Sequence, residues 1–525
     1  MPRVLIADDV GEECARILAK AGIEVDFRGK MKPDELRRAV PDFDGLIVRS
    51  AAQVTREILE AGARLKIVGR AGIGVDNIDQ EAATRRGVIV MNAPQGNVAS
   101  AAEHAFALIM AGARNVAAAD ASVRAGRWER SKYQGVELEG KTLGIVGLGK
   151  IGSLVAQYAR PFRMRVVAFD PLVTKERAAQ LGAELVELDR LLGEADYVTF
   201  HVPLTDKTRG MIGAEQLRRM KRTVRLVNTS RGGVIDEKAL AEALAAKEIG
   251  GAALDVYEQE PPAKDHPLFK LENATLTPHL AASTEEAQVK VAIDIAEQFV
   301  DYFKNGVVRN STNLGALADP SLAPYLRLAE DLGGLAAQLA GGKVKSVTAS
   351  YRGGIGGFEV GPVTQSVLKG ALRPTLGDEV NVINSRFLAK EAGIQVAEEK
   401  HSEAGNYKSL LSVAVETEKG RKSVAGTVFE GRDSRIVEID RLDMDLKPSR
   451  HMVCLAYADV PGVVGKVGTI LGRNRINIAR MEVGRAERGR EAMILLSVDD
   501  PVSPEILEEI RTAINAHDVR AVTLP

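Results

Sequence analysis

One stretch, residues 141–170 (KTLGIVGLGKIGSLVAQYARPFRMRVVAFD), limits what this chain can fold into more than any other. The apolar run 143–146 predicts a buried strand, residues 151–160 a helix, and 166–169 a second strand that ends on Asp170. Between first strand and helix, Gly147, Gly149 and Gly152 occupy the positions of G-x-G-x-x-G. In such a turn the first glycine permits the bend and the second lets backbone approach a pyrophosphate. The third lets the helix pack against the sheet. Lys150 and Ile151 open the helix, whose N–H groups and positive dipole end face the phosphates. Asp170 is placed to accept the ribose hydroxyls of an adenosine and to repel a 2′-phosphate, which favours NAD over NADP. Glycine turns alone are common; the strand, helix and acid around this one make it specific.

The chain's 525 residues are too many for one core and predict three or four domains. Lys and Arg number 70 against 71 Asp and Glu, a net charge of −1. That balance gives no electrostatic reason to expect nucleic acid or a membrane surface as partner. Cys14 and Cys454 lie far apart without metal-type spacing, so neither a disulfide framework nor a metal site is expected. The first residues enter a strand-like run at once, and no apolar run is long enough to span a membrane. A soluble protein of the reducing cytoplasm is the expectation.

Residues 1–95 alternate short apolar strands with helical patterns, the rhythm of a parallel α/β domain. This block has no glycine fingerprint and is expected to hold substrate. Residues 98–114 predict a helix of small residues suited to a domain junction. After the fingerprint, strands are expected at 197–201, 225–228, 252–255 and 274–276, and a long helix at 284–303. From about Asn313 the texture becomes that of a compact mixed α/β module. Beyond Pro448 the order is βαββαβ, a ferredoxin-like arrangement.

Three segments carry groups suited to catalysis. In Asn228-Thr229-Ser230-Arg231-Gly232-Gly233, a strand end presents a guanidinium whose planar fork suits an α-carboxylate. An arginine that caps a sheet edge would give the same pattern. In the loop from Asp255 to Pro262, prolines constrain the backbone after Glu260. In Thr277-Pro278-His279, a histidine follows a strand and precedes a helix capped by Ser283 or Thr284. A glutamate beside a histidine raises the imidazole pKa and fixes its orientation, as an acid/base relay requires. A solvated acid and a structural histidine are the alternatives when either segment is taken alone. His104 and His201 read as structural or cofactor-side residues.

Together, the fingerprint, N-T-S-R-G-G, D-V-Y-E-Q-E-P-P and T-P-H-L-A-A-S-T resemble the D-isomer-specific 2-hydroxyacid dehydrogenases over essentially the whole chain. The resemblance implies Arg231, Glu260 and His279 as the catalytic set: His279 as acid/base, Glu260 supporting it, Arg231 binding substrate. It extends the NAD contacts beyond the fingerprint to Val202, Thr229, Ser230, Arg231, Asp255, His279 and Ala282. By matching loops, it implies Arg49, Ser50, Gly74 and Asn97 as substrate ligands. Arg130 and Lys132, in a basic loop, would offer phosphate contacts across a dimer; a solvated surface loop is the alternative. The last module resembles an ACT domain, where Tyr457, Asp459 and Asn477 match positions that bind serine in shorter relatives, although those carry His and Asn where Tyr457 and Asp459 stand here.

The fold expected is α/β: two doubly wound parallel-sheet domains, the first flavodoxin-like and the second Rossmann, then a mixed intervening domain and the ferredoxin-like ACT domain. The boundaries expected are 1–97 with 284–312 for substrate, 98–283 for NAD, 313–449 for the intervening domain and 450–525 for the ACT domain. The same plan implies oxidation of 3-phosphoglycerate to 3-phosphohydroxypyruvate at the start of serine biosynthesis, with serine as effector and a homotetrameric assembly. A dehydrogenase for another 2-hydroxy acid, such as 2-hydroxyglutarate, fits the same residues. A non-enzymatic sensor of NAD or amino acids would be expected to have lost one of the three catalytic residues.

Overall fold

The computed structural model describes residues 1–314, 320–485 and 490–525. Residues 315–319, in the first stretch of the expected intervening domain, and 486–489, within the expected ACT domain, lie outside them. The chain divides into two compact units: Met1–Arg70, Gly74–Asn92 and Ile295–Pro525 form one, and Ala71–Ile73 with Ala93–Asp294 the other.

The first unit begins with a parallel five-stranded sheet in the order Glu24–Phe27, Arg3–Ile6, Gly45–Val48, Ile67–Arg70, Ile89–Asn92. This is the flavodoxin-like order 2-1-3-4-5. Gly45–Val48 is buried throughout, because a parallel sheet covered on both faces needs apolar side chains on both. Phe299, from the helix Glu285–Asn305, is fully buried against it. A Cβ on Gly45 or Gly69 would lie 2.9 or 2.4 Å from its ring, so those two strand glycines make the room the phenyl group fills.

The intervening module is a six-stranded sheet in the order Gln395–His401, Val344–Gly353, Ser409–Thr417, Gly420–Phe429, Asp433–Ile439, Leu442–Leu446. Only the first pair is parallel. The helices Ala323–Ala340 and Gly361–Leu376 pack together across small residues. A Cβ on Gly333 would come within 2.1 Å of the Val367 carbonyl oxygen, and one on Gly370 within 2.0 Å of that of Glu330. The C-terminal βαββαβ segment forms a four-stranded antiparallel sheet in the order Ile478–Arg485, Glu491–Val498, His451–Ala458, Asp518–Thr523. Val453, Leu455 and Tyr457 pack beneath its two helices. On the opposite face, Met452, Cys454, Leu495, Val522 and Leu524 join Leu328, Leu332 and Leu335 of the intervening module in one buried cluster. The boundary expected at residue 449 therefore falls within a continuous core.

The second unit is built on a seven-stranded parallel sheet in the order Ala274–Leu276, Gly251–Leu254, Arg225–Asn228, Tyr197–Phe200, Thr142–Val146, Arg165–Phe169, Glu184–Leu185. Counted from Thr142–Val146, six of the strands give the Rossmann order 3-2-1-4-5-6. The small-residue helix runs Val98–Ala113, and a second helix that the sequence pattern did not announce, Val116–Arg124, follows directly. The α/β class and both doubly wound sheets agree with expectation.

Because carbonyl oxygens rather than flexible side chains meet Gly333, Gly333→Leu should lower stability by about 1–3 kcal/mol, read as a lower urea midpoint for the full chain.

Candidate active site

The glycine turn behaves as its three positions require. Gly147 has φ +94°, and a Cβ there would sit 2.5 Å from the His201 carbonyl oxygen and 2.9 Å from Val202 Cγ1. The His-x-Pro loop thus packs directly on the turn. A Cβ on Gly152 would lie 2.1 Å from the Gly147 carbonyl oxygen, whereas nothing stands within 4 Å of one on Gly149. That open backbone is where a pyrophosphate has room, at the start of the helix Lys150–Ala159. Asp170 also holds the loop: its Oδ2 accepts from Leu148 N–H at 2.8 Å and its Oδ1 from Leu172 N–H at 2.8 Å. The Thr229 hydroxyl is buried without a partner among the described residues, a group that a cofactor could satisfy. These features fit NAD. His201, whose Nε2 lies 3.1 Å from Thr199 Oγ1, is pushed down to about 3 by burial and stays neutral.

The second cluster is organised by Asp255, which is fully buried at the end of Gly251–Leu254. Its Oδ1 accepts from the Thr277 hydroxyl at 2.6 Å and from Leu280 N–H at 2.8 Å; its Oδ2 accepts from Ala281 N–H at 2.9 Å. His104 Nε2 stands 3.2 Å from Oδ1. Burial acts to raise this carboxyl, yet the donors from His104, Thr277, Leu280 and Ala281 outweigh it, and the pKa is lowered. The bonds flank His279, whose φ of +56° is unusual for any side chain but glycine. Such a backbone costs of order 1–3 kcal/mol and persists only where its surroundings fix it. Asp255, expected as a cofactor contact, anchors the loop that carries His279.

His279 Nδ1 lies 2.7 Å from Glu260 Oε2, and Glu260 Oε1 accepts from Tyr257 N–H at 3.1 Å. Burial raises the Glu260 carboxyl, but its hydrogen bond and charge interaction with His279 prevail, so it stays below the ordinary carboxylate value. Both side chains remain partly exposed, at 43% for His279 and 36% for Glu260, as groups that meet a ligand must be. Tyr257, carrying the Glu260 loop, donates its hydroxyl to the Thr277 carbonyl at 3.2 Å. Two residues to which the sequence assigned no role, Glu237 and His266, brace the same loop. Glu237 Oε1 accepts from Glu258 N–H at 2.5 Å, and its Oε2 lies 2.9 Å from His266 Nε2.

Arg231 follows the strand Arg225–Asn228. Asn228 shapes its turn, donating from Nδ2 to the Arg231 carbonyl at 2.9 Å and accepting from the Ser230 hydroxyl at 2.8 Å. Arg231 Nη1 donates to the Ser230 carbonyl at 2.7 Å. A Cβ on Gly232 would lie 1.8 Å from the Tyr257 carbonyl oxygen, so only glycine lets this turn lie against the Glu260 loop. Arg231, Glu260 and His279 thus belong to three loops that touch at Tyr257.

In the first unit, Arg49 and Ser50 leave the carboxyl end of Gly45–Val48. Buried Asp8 holds them: its Oδ2 accepts from the N–H groups of Arg49, Ala51 and Ala52 at 3.0, 2.9 and 3.1 Å. Asn77 Nδ2 donates to the Arg49 and Ala52 carbonyls at 2.7 and 2.6 Å. Neither residue was singled out from the sequence, although Asp8, just past the first strand, lies at the ligand-binding end of a parallel sheet. Gly74 lies past Ile67–Arg70 in the same unit. In the second unit, Asn97 is buried with Oδ1 lacking a partner among the described residues, Ala282 is half-buried, and Arg130 is exposed. Lys132 pairs with Glu272 at 2.9 Å. Of the three ACT residues, Tyr457 is buried within its module's core. Asp459 lies 3.6 Å from Arg485, and Asn477 donates to Asp499 at 2.8 Å.

Family comparison agrees with this geometry. Residues 106–281 match the NAD-binding domain of the D-isomer-specific 2-hydroxyacid dehydrogenases. Residues 321–440 match the D-3-phosphoglycerate dehydrogenase intervening domain, and 453–515 the ACT domain. The D-3-phosphoglycerate dehydrogenase of Archaeoglobus fulgidus is 46% identical over 97% of both chains. The chain belongs to the D-3-phosphoglycerate dehydrogenase family. That of Synechocystis is 42% identical, covering all of this chain and 95% of the relative. The NAD complex of a formate dehydrogenase from Staphylococcus aureus is 29% identical with a TM-score of 0.53, covering 59% of this chain and 98% of that one. This protein is accordingly an NAD-dependent dehydrogenase acting on a small molecule.

The pKa values of Asp255 and Glu260 are both lowered on folding, so their stabilisation is complete above the ordinary carboxylate range and is lost as pH falls through the lowered values. Asp255→Asn should therefore destabilise the protein by about 1–3 kcal/mol near neutrality, and the gap in melting temperature from wild type should narrow on acidification.

Proposed function

We propose that this enzyme oxidises 3-phospho-D-glycerate to 3-phosphohydroxypyruvate with NAD, opening serine biosynthesis. The observation that carries the reading is the His279–Glu260 pair at 2.7 Å, on a loop fixed by Asp255 and meeting the Arg231 turn at Tyr257. When bound, NAD accepts the hydride from C2 of the substrate. His279 takes the proton of the C2 hydroxyl on Nε2, since Nδ1 faces Glu260. The Glu260 carboxylate orients the ring and stabilises the imidazolium that forms. Arg231 engages the substrate carboxylate through its planar fork, beside the carbon that changes hybridisation. Arg49, Ser50, Gly74 and Asn97 complete substrate recognition. Arg130 and Lys132 reach the phosphate from a neighbouring subunit, and Lys132 must exchange Glu272 for it. Gly147, Gly149, Lys150, Ile151, Gly152, Val202, Thr229, Ser230 and Ala282 hold the cofactor, with Asp170 on its adenosine ribose.

No helix among the described residues is long and apolar enough to cross a membrane, which is consistent with the cytoplasmic location proposed here. A homotetramer is the assembly proposed. Serine is proposed as an effector at the ACT domain, contacting Asp459 and Asn477. Buried Tyr457 supports that site from within the fold.

His279→Ala should lower kcat with 3-phosphoglycerate by about 10²–10⁴, while Arg231→Gln raises KM as well; undiminished turnover by either variant contradicts the assignment. A higher kcat/KM for 2-hydroxyglutarate than for 3-phosphoglycerate would transfer the substrate assignment to that acid. Calorimetric titration should show serine binding at millimolar concentration or below, lost in Asn477→Ala; no heat from wild type removes the effector.

A further inference from the structure

The five-stranded sheet has a second end. Arg49, Ser50 and Gly74 follow the carboxyl ends of strands, while a cavity of about 600 Å³ opens at the amino ends, between the sheet and the intervening module. Four-residue strands separate the two ends by roughly 13 Å. The cavity is thus a different place from the substrate loops.

Its wall carries an excess of positive charge. Lys66 immediately precedes Ile67–Arg70, and Arg86 lies in the turn before Ile89–Asn92. Arg327 and Lys369 come from the two helices of the intervening module. The single carboxylate in the wall, Glu330, is already matched, with Lys369 Nζ 2.7 Å from Oε1 and 2.8 Å from Oε2. Lys66, Arg86 and Arg327 form no ion pair among the described residues. Asp331, behind the wall, is buried and pushed up to about 7, so it neutralises Arg327 only in part. Lys66, Arg86 and the partly balanced Arg327 around one concave space focus a positive potential that an anion would relieve. The volume lies in the range of small-molecule sites.

Direct contacts between sheet and module beside this cavity include polar ones and the Arg85 guanidinium over the Phe387 ring. Asn381 and Asn384 donate to the Gly87 and Arg85 carbonyls at 3.4 Å each, and Arg85 pairs with Glu391 across exposed surface. A ligand held from both sides would add charge-assisted bonds within the cavity to the one that Arg85 and Glu391 make at the surface.

We propose that this cavity binds a small polyanion bearing phosphate or several carboxylates, and that the bound anion clasps the intervening module to the amino ends of the sheet. The site is independent of the catalytic reading. It differs from the ACT positions, since none of Tyr457, Asp459 or Asn477 lines it.

The test is calorimetric titration of the full chain at low salt with inorganic phosphate and, separately, with citrate. An Arg231→Gln background removes the substrate clamp. One binding event per chain is expected with at least one probe, weakened about tenfold when Arg86→Gln and Arg327→Gln are added. Phosphate binding alone assigns phosphoryl chemistry; citrate binding alone assigns carboxylates. Hydrogen exchange on the wild-type chain gives a readout that needs no variant: residues 84–90 and 379–385 should gain protection together on adding the probe that binds. Absence of binding by both probes at millimolar concentration, binding indifferent to Arg86→Gln and Arg327→Gln, or unchanged exchange overturns the proposal.

Discussion

A carboxylate removed from water must be met by donors, or it will take up a proton. Asp255 turns that requirement into construction. Sealed at the end of a central strand, it draws in the Thr277 hydroxyl and the N–H groups of Leu280 and Ala281, and so determines the path of the chain on both sides of His279. The imidazole then reaches Glu260 from a backbone conformation it would not choose by itself. Asp8 plays the same part beside Arg49, gathering three loop amides, those of Arg49, Ala51 and Ala52, onto one oxygen. In both places a buried acid that meets no solvent sets the geometry of a neighbouring residue that does.

How legible this was depended on how local the signal is. The glycine turn was readable because strand, turn, helix and acid lie within thirty residues of sequence and each glycine answers a separate steric demand. Arg231, Glu260 and His279 were recognisable as motifs, but their convergence at Tyr257 needs a contact between Gly232 and the 254–258 loop that no spacing announces. His266 could be given no partner from the sequence for the same reason: it and Glu237 are 29 residues apart and meet only in the folded chain. Asp255 was noticed as a candidate cofactor contact, but its bonds to Thr277, Leu280 and Ala281 could not be read from a carboxylate at a strand end.

The C-terminal strands show a different limit. Alternation along His451–Ala458 normally separates a core face from a wet face, but here both faces are buried. Apolar residues on both sides read as an ordinary core strand, and the period of two cannot reveal that one side belongs to another module. The packing is therefore continuous across residue 449, where the βαββαβ order begins.

That shared core has a consequence for how such enzymes are assembled and exchanged. A regulatory module joined to its carrier by a flexible tether can be cut away or transplanted with little effect on either part. Here Met452, Cys454, Leu495, Val522 and Leu524 would be stripped of their covering by a cut at residue 450, and Leu328, Leu332 and Leu335 would lose theirs. Such a cut would therefore open the ACT sheet and the helix Ala323–Ala340 together. The two inherit one another's mutations, since a volume change on either side must be matched on the other.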